Sequence, residues 1–356
     1  MEKKKKKKMM MEALEFVMAV EFWRMAVLWT FCLLLSYWKL IASNSCPSKP
    51  PPSPSAFGHR PLCIITGATS GLGAAAAHAL SAHDFFVVLV GRSSHLLAKT
   101  MMDIKTQNKN AHLKAFQVDL ASFDSILQFK ASLQKWLSDS EMHSSIQLLI
   151  NNAGILATSS RLTCQGYDQM MATNYLGAFS LTKLLLPLLR NSPIPSRIVN
   201  VNKDIVSGKC FGRSKRYPYA HVYEYSKLFL LLFSYELHRQ LGLMDISHQC
   251  CGSWICGNQH HARSSLMPIQ SGFHSSKTSG LLQSPEIGVS SILDAALAPP
   301  ETSGVYYFGG NGGTVNSSVL SYDAKLAKEL WNASSDLFLE SELASKETIS
   351  VSNGIS

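Results

Sequence analysis

The sequence predicts an α/β domain built on a doubly wound parallel sheet. From residue 61 onward, short apolar runs alternate with helical stretches, a pattern that produces parallel β-α-β units with right-handed crossovers. The first run leads into a glycine-rich turn and an alanine-rich helix. Further runs end in Gly-Arg, Val-Asp or Asn-Asn, and a parallel sheet gathers such strand ends along one edge.

Composition fits a large globular core and argues against a nucleic-acid partner. The chain has 356 residues, of which 46% are hydrophobic. Its net charge is +9, but Lys3 to Lys8 alone supply six positive charges, so the rest of the chain is only weakly basic. The eight cysteines are scattered, and they predict no disulfide framework in a chain of this length.

The first 42 residues are predicted to form a basic N-terminus and a hydrophobic membrane anchor. Met25 to Trp38 carries no charge, but it is shorter than the roughly 20 residues of a full span. Extending the segment back to Phe16 brings in Glu21 and Arg24. A signal anchor or interfacial helix is favoured over a cleaved targeting segment or a misplaced start site. If the segment spans, its lysines keep the N-terminus cytoplasmic.

Composition divides the remaining chain into three parts. Residues 43–60 are rich in proline and serine and predict a linker. Residues 61–345 form the predicted catalytic-type domain, within which residues 248–279 are aberrant. Residues 321–344 predict a surface helix, and residues 346–356 predict a disordered tail.

The first strand and turn predict a dinucleotide site. Leu62 to Ile65 is apolar and runs into Thr66 to Gly73, after which a helix begins. Glycines let the backbone turn tightly and approach a pyrophosphate, and the helix N-terminus offers unpaired N–H groups to it. A purely structural tight turn is the alternative.

The end of the second strand predicts the cofactor. Phe85 to Val90 is followed by Gly91 and Arg92, and no carboxylate is adjacent. An NAD site usually places an acidic residue here, whereas a guanidinium suits the 2′-phosphate of NADP(H). NADP is therefore favoured over NAD, and a solvated arginine that opens a helix is the alternative.

Three further strands and three helices complete the predicted alternation. The strands are Leu113 to Val118 before Asp119, Ile146 to Ile150 before Asn151, and Arg197 to Val201. The helices run from about residue 92 to Asn110, from Ser122 to Leu137, and from Gly166 to Arg190. Gly67, Asp119 and Asn151 all follow strand ends, so we expect them to share one crevice.

A fifth predicted helix, from Tyr219 to Leu241, carries Tyr223 and Lys227 four residues apart. This spacing puts both side chains on one helix face. A nearby ammonium favours a phenolate and lowers the tyrosine pKa towards neutral pH. By itself, the pair also fits a buried tyrosine beside an ordinary surface lysine.

Four motifs occur in order: T-G-x-x-x-G-x-G from Thr66, N-N-A-G from Asn151, N-x-x-G from Asn174 and Y-x-x-x-K from Tyr223. Over roughly residues 60 to 247, this chain resembles the short-chain dehydrogenase/reductase superfamily. It is most similar to the membrane-associated, retinol-dehydrogenase-like subgroup. The resemblance implies a single Rossmann-type domain that oxidises an alcohol or reduces a carbonyl.

The resemblance also implies roles for individual residues. Tyr223 exchanges a proton with the substrate oxygen, Lys227 lowers the tyrosine pKa and holds the nicotinamide ribose, and Asn174 keeps a water that links Lys227 to solvent. The expected cofactor-binding residues are Gly67, Ser70, Gly71, Leu72, Gly73, Arg92, Asp119, Asn151, Ala153, Gly154, Tyr223 and Lys227. No metal is expected.

The sequence departs from the family after the fifth strand. The family places a serine there, typically in Asn-Val-Ser-Ser, and its hydroxyl hydrogen-bonds the substrate oxygen. Here Val199 to Asp204 contains no serine, and Ser207 falls in a predicted loop. Losing one such donor typically costs about 100- to 1,000-fold in rate. The Asn202 amide is a weak substitute.

A second departure covers residues 248–279, where a sixth apolar strand ending in Pro-Gly is expected. The segment has neither strand alternation nor a helical period. The pattern resumes with a helix from Ser284 to about Leu297 and a strand from Val305 to Phe308. We interpret the break as a reading-frame or exon-boundary error. A zinc site is disfavoured because the candidate ligands have no usual spacing; they are Cys250, Cys251, Cys256, His260 and His261.

The leading functional prediction is an NADP(H)-dependent oxidoreductase acting on a small apolar carbonyl or alcohol, associated with a membrane through its N-terminal segment. The alternative is a catalytically impaired nucleotide-binding protein that acts by interaction, which the missing serine and Pro-Gly favour. A third possibility is that the chain folds poorly because the sheet lacks one strand.

Overall fold

The computed structural model describes residues 60–140, 142–202, 217–241, 246–252 and 288–353, and six helical positions between residues 23 and 38. For residues 246–252 and 346–353 the description concerns the backbone. Within this part of the chain, seven parallel strands form one sheet. The strands are β1 (Leu62–Thr66), β2 (Phe86–Gly91), β3 (His112–Gln117), β4 (Leu148–Asn151), β5 (Ser196–Asn202), β6 (Ile246–Gly252) and β7 (Val305–Tyr307). Their order in the sheet is β3-β2-β1-β4-β5-β6-β7.

The strand order confirms the predicted doubly wound sheet and locates its crevice. β1 pairs with β2 on one side and with β4 on the other, as in the registers of Cys63 with Val87 and with Leu148. The strand order therefore reverses between β1 and β4. Ligands of such sheets bind outside the carboxyl ends of the strands at this reversal.

Helices cover both faces of the sheet in two layers. The helices are α1 (Gly71–Ala82), α2 (Ser94–Gln107), α3 (Phe123–Asp139), α4 (Gly177–Arg190), α5 (Tyr219–Leu241), α6 (Ser290–Leu297) and α7 (Ala324–Asn353). The first layer contains α3, α4, α5 and α7, and the second contains α1, α2 and α6. Successive strand residues point to opposite faces; Ile64 and Val88 face the first layer, whereas Cys63 and Val87 face the second.

The start of α4 is more irregular than the predicted helix from Gly166. A short α-helical segment, Gln169–Met171, is followed by a π-helical turn, Ala172–Leu176, before α4 itself. The Asp168 carboxylate accepts hydrogen bonds from the Met170 and Met171 N–H groups and caps this start. The π-turn contains Asn174, and turns of this kind are often found at functional sites.

The presence of β6 corrects the sequence prediction that this region lacks a strand. Ile246–Gly252 forms a strand that pairs with β5 from Ser196 to Asn202 and with β7. Strand pairing is made by backbone groups, so a run without apolar alternation still completes the ladder. The expectation that the sheet lacks a strand here is therefore wrong, while residues 253–279 lie outside the described residues.

α7 is also different from the predicted surface helix. Trp331 packs against Phe179 and Phe233 of α4 and α5, with ring centroids 5.5 and 5.9 Å apart. Phe338 meets Phe123 of α3 edge-on, with centroids 5.4 Å apart. α7 therefore closes the first layer. It continues to Asn353, into the segment that was predicted to be disordered.

Most of the predicted anchor, and residues 43–59 of the predicted linker, lie outside the described residues. The described N-terminal positions are helical and exposed, and their spacing puts them along one helix face. They are Trp23, Val27, Thr30, Phe31, Leu34 and Trp38. Within the part of the chain that the structure describes, no helix combines the length and apolar character needed to cross a bilayer.

Candidate active site

The glycine turn joins the end of β1 to the start of α1. Gly67 and Gly71 have φ values of +65° and +53°, which L side chains adopt only with strain. A Cβ on Gly67 would stand 2.9 Å from the Ala153 Cα, and one on Gly73 would overlap the Gly67 carbonyl and the Asn152 amide. Glycine is therefore required for the close approach of three backbone segments.

Asn152 joins this turn to the loop that follows β4. Its Nδ2 donates to the Thr66 carbonyl at 2.9 Å. The backbone N–H groups of Asn152 and Ala153 both donate to Thr66 Oγ1 at 3.0 Å. The predicted turn and the N-N-A-G loop thus form one unit. The predicted cofactor-binding residues include its neighbours Asn151 and Ala153 but not Asn152.

The Asn151 side chain points away from the turn. Its Nδ2 donates to Thr182 Oγ1 at 3.0 Å and to Asn200 Oδ1 at 2.8 Å. Asn200 in turn donates to Ser234 Oγ at 2.8 Å. The Asn151 side chain therefore connects β4 to β5 and to the first helix layer. Since its amide is engaged in these bonds, the predicted cofactor contact of Asn151 would be made by its backbone.

Asn174, Gly154 and Lys227 come together where β4 and β5 end. Asn174 is fully buried; its Oδ1 accepts from the Ile155 N–H at 2.7 Å, and its Nδ2 donates to the Ile155 carbonyl at 2.9 Å and to Ser226 Oγ at 3.0 Å. A Cβ on Gly154 would lie 3.4 Å from Lys227 Nζ and 3.5 Å from Asn174 Oδ1. The three predicted residues therefore form one cluster.

Tyr223 and Lys227 share a face of α5, but the pKa of Tyr223 is shifted in the direction opposite to the predicted one. Lys227 Nζ lies 6.0 Å from the Tyr223 ring centroid and donates to the Val201 carbonyl at 3.3 Å. Burial raises the pKa of Tyr223 to about 12, whereas the sequence predicted a lowered pKa. The difference arises because desolvation penalises the phenolate, while the ammonium group is turned towards the strand end.

Asn202 occupies part of the stretch where the family serine is expected. It is 1% exposed, and its Nδ2 donates to the Lys227 carbonyl at 3.0 Å. The amide that was considered as a substitute donor for substrate is therefore directed at the backbone of α5. Ser207 lies outside the described residues.

The remaining predicted cofactor residues lie around the carboxyl ends of β1, β2 and β3. Arg92 is exposed directly after β2. The Asp119 carboxylate accepts from the Ala121 N–H at 3.0 Å and so shapes the loop after β3. Ser70 precedes α1 without a side-chain capping bond. Leu72 lies within α1 and packs against the buried apolar cluster beneath the second helix layer.

A glycine turn at a helix N-terminus, placed at the reversal of a parallel sheet, together with a Tyr-Lys pair one helical turn apart, is typical of a dinucleotide-dependent oxidoreductase. The family model for short chain dehydrogenases matches residues 62–258. The chain therefore belongs to the short-chain dehydrogenase/reductase family, which confirms the resemblance found in its motifs.

Known proteins agree with this membership. Retinol dehydrogenase 13 of Mus musculus is 30% identical over 317 residues, covering 83% of this chain and 87% of that protein. Human polyprenol dehydrogenase is 34% identical over 202 residues, covering 52% and 57%. The Arabidopsis thaliana protein called SDR family member FEY is 31% identical over 201 residues, covering 51% and 50%.

Among solved structures, an uncharacterised protein from Mycobacterium paratuberculosis is similar over 79% of this chain and 94% of its own, with 26% identity and a TM-score of 0.58.

Proposed function

We propose that the protein is an NADP(H)-dependent oxidoreductase that reduces a carbonyl, or oxidises an alcohol, on a small apolar substrate. The observation that carries the proposal is the meeting of Lys227, Asn174 and Gly154 at the sheet edge that holds the glycine turn. Family membership supports an oxidoreductase in general; the cofactor, the substrate and the activity of this chain are the proposal.

The residues of the turn fit a dinucleotide. A Cβ is excluded at Gly67 and Gly73, which leaves a smooth backbone cradle beside the N-terminus of α1. N–H groups at such an end bind phosphate. Ser70 makes no side-chain capping bond in this structure, so its hydroxyl is available for the same phosphates.

Arg92 supports NADP(H) over NAD(H). It is exposed directly after β2, and no ion pair of Arg92 is recorded among the described residues. A cation in this position suits a 2′-phosphate, whereas a ribose 2′-hydroxyl usually meets a carboxylate.

Tyr223 is suited to protonating a substrate oxygen. Burial raises its pKa to about 12, so the phenol carries its proton at neutral pH and is the group that can donate it to a carbonyl oxygen. NADPH, when bound, supplies the hydride. Lys227 and Asn174 orient the groups around the phenol.

An apolar substrate is supported by the surroundings of Tyr223. Met170, Tyr219 and Ala220 form a buried cluster against which Ile155, Leu156, Val222 and Tyr223 pack. The names of two relatives, retinol dehydrogenase and polyprenol dehydrogenase, refer to apolar alcohols. We extend this class of substrate to the present chain. The exposed apolar positions from Trp23 to Trp38 support association with a membrane.

Two measurements on the full chain test the function. NADPH binding is followed by the change in its fluorescence, and turnover is followed on a panel of apolar aldehydes. Tyr223→Phe is the matched control, because it keeps the ring and removes only the hydroxyl. We expect wild-type turnover and a Tyr223→Phe variant that binds NADPH but does not turn over. Failure to bind either nicotinamide cofactor would contradict the proposal.

A second candidate is a nucleotide-binding protein with impaired catalysis. The engagement of the Asn202 amide with the Lys227 carbonyl favours it, since no side chain of β5 then donates to substrate from this position. This candidate predicts NADPH binding without turnover. Turnover that appears in Asn202→Ser would identify the missing hydroxyl as the cause.

A further inference from the structure

Two reciprocal hydrogen bonds join the end of β5 to Lys227. Lys227 Nζ donates to the Val201 carbonyl at 3.3 Å, and Asn202 Nδ2 donates to the Lys227 carbonyl at 3.0 Å. We call this pair of bonds the Lys227 clasp. Asn202 and Lys227 are both buried, with 1% and 6% exposure, so the clasp is shielded from water.

We propose that Asn202 is a positioning residue, which holds the turn of α5 carrying Tyr223 and Lys227 at the carboxyl end of β5. The catalytic meaning of this position rests on the function proposed above. In an α-helix, the carbonyl of Lys227 also accepts from the N–H four residues further on. The Asn202 amide is thus a second donor to this carbonyl, from outside the helix.

The alternation of β5 explains why an asparagine can reach this carbonyl. Asn200 and Asn202 are two residues apart in the strand, so their side chains lie on the same face of the sheet. Asn200 donates to Ser234 at 2.8 Å, seven residues after Lys227 and therefore on the same side of α5. The two amides thus bind α5 to the sheet at two positions along the helix, Ser234 and Lys227, and Asn202 makes the bond at Lys227.

A serine at position 202 could not make the same hydrogen bond to the Lys227 carbonyl. A serine side chain is one bond shorter than that of asparagine and ends in a hydroxyl, so it falls short of a carbonyl that the amide reaches at 3.0 Å. Replacing Asn202 therefore changes two properties at once: it opens a place for a substrate donor and it releases the clasp.

Hydrogen exchange of the cofactor-free protein tests the clasp without requiring activity. In Asn202→Ala, we expect the amides of residues 223–231 to exchange about 3- to 10-fold faster, which corresponds to one lost buried hydrogen bond. Exchange of residues 234–241 stays unchanged.

Asn200→Ala is the matched control on the same strand face, and we expect it to accelerate the amide exchange of residues 234–241 instead. Asn202→Gln keeps the amide donor on a longer side chain and should be intermediate; it also serves if the alanine variant does not fold.

Steady-state kinetics distinguish a positioning residue from a merely structural one, because a merely structural role would leave kcat unchanged. We expect Asn202→Ala to lower kcat about 3- to 10-fold with little change in the KM for aldehyde, and Asn202→Gln to keep part of the lost activity. Equal exchange patterns in Asn202→Ala and Asn200→Ala would overturn the clasp, as would unchanged exchange near Lys227. If wild-type protein binds no cofactor, the proposed function fails, and exchange alone still decides the clasp.

Discussion

Tyr175 and Ser334 are 159 residues apart in the chain, yet their hydroxyl oxygens lie 2.6 Å from each other in a buried hydrogen bond. Tyr175 belongs to the π-turn and is the neighbour of Asn174, while Ser334 belongs to α7. This bond connects the last helix of the domain directly to the turn that supports the candidate active site.

Removing that bond should destabilise the fold. In Ser334→Ala, the buried Tyr175 hydroxyl loses its partner, and we expect the free energy of unfolding to fall by about 1–3 kcal/mol. Ser335→Ala is the matched control, because the Ser335 Oγ is buried without a recorded partner and should cost nothing. Urea unfolding measures both. Equal losses in the two variants would contradict a stabilising role for the Tyr175–Ser334 bond.

A methyl group at Gly73 should weaken cofactor binding. The Cβ of Gly73→Ala would overlap the Gly67 carbonyl and the Asn152 amide, so the two loops of the turn unit must separate. We expect NADPH affinity to fall by at least about tenfold, or about 1.4 kcal/mol. Gly166→Ala is the control, because a Cβ there meets nothing within 4 Å. It should lose some stability through its φ of +81° while keeping NADPH affinity.

Arg92 should decide between the two nicotinamide cofactors. We expect Arg92→Ala to weaken NADPH binding by about tenfold or more, since a charge-assisted hydrogen bond to phosphate is lost. NADH has no 2′-phosphate and is the internal control; its affinity should change less than about twofold. Fluorescence titration with both cofactors gives the ratio. A parallel loss of both affinities would exclude a 2′-phosphate contact.

His238 should make stability sensitive to acid. Its ring packs against Gly304, and Nδ1 lies 2.9 Å from Ser303 Oγ. Burial, and then the charge of Arg239, lower its pKa below 6.5, so the unfolded chain binds the proton more readily. The contribution of His238 is therefore complete above about pH 6.5 and is lost as pH falls towards the lowered value. Between pH 7.5 and 5, the free energy of unfolding should fall less steeply with decreasing pH in His238→Gln than in wild type. His83→Gln, at an exposed histidine, is the control.

The strands and the cofactor turn could be predicted because local pattern determines them. Runs such as Leu62 to Ile65 are apolar on both faces, as a sheet covered by two helix layers requires. β6 could not be predicted in the same way, because its pairing with β5 depends on backbone geometry. The packing of α7 is a similar case: nothing in its local sequence says that Trp331 meets Phe179 and Phe233.

At the site, the sequence identified residue types at the right spacing but not their orientation. Asn151 and Asn152 are adjacent, and only the structure shows which amide faces the glycine turn. The pKa of Tyr223 depends on burial and on where the Lys227 ammonium points, and neither follows from a four-residue spacing.

The position of α7 has a consequence for synthesis of the protein. Phe179 and Phe233 emerge from the ribosome well before Trp331, the ring that covers them. Until then, this aromatic patch is exposed on the nascent chain and offers chaperones a hydrophobic surface. A premature stop codon before Ala324 would leave the patch permanently uncovered. We expect such a truncated product to be aggregation-prone and rapidly degraded even though Asn174, Tyr223 and Lys227 are all present.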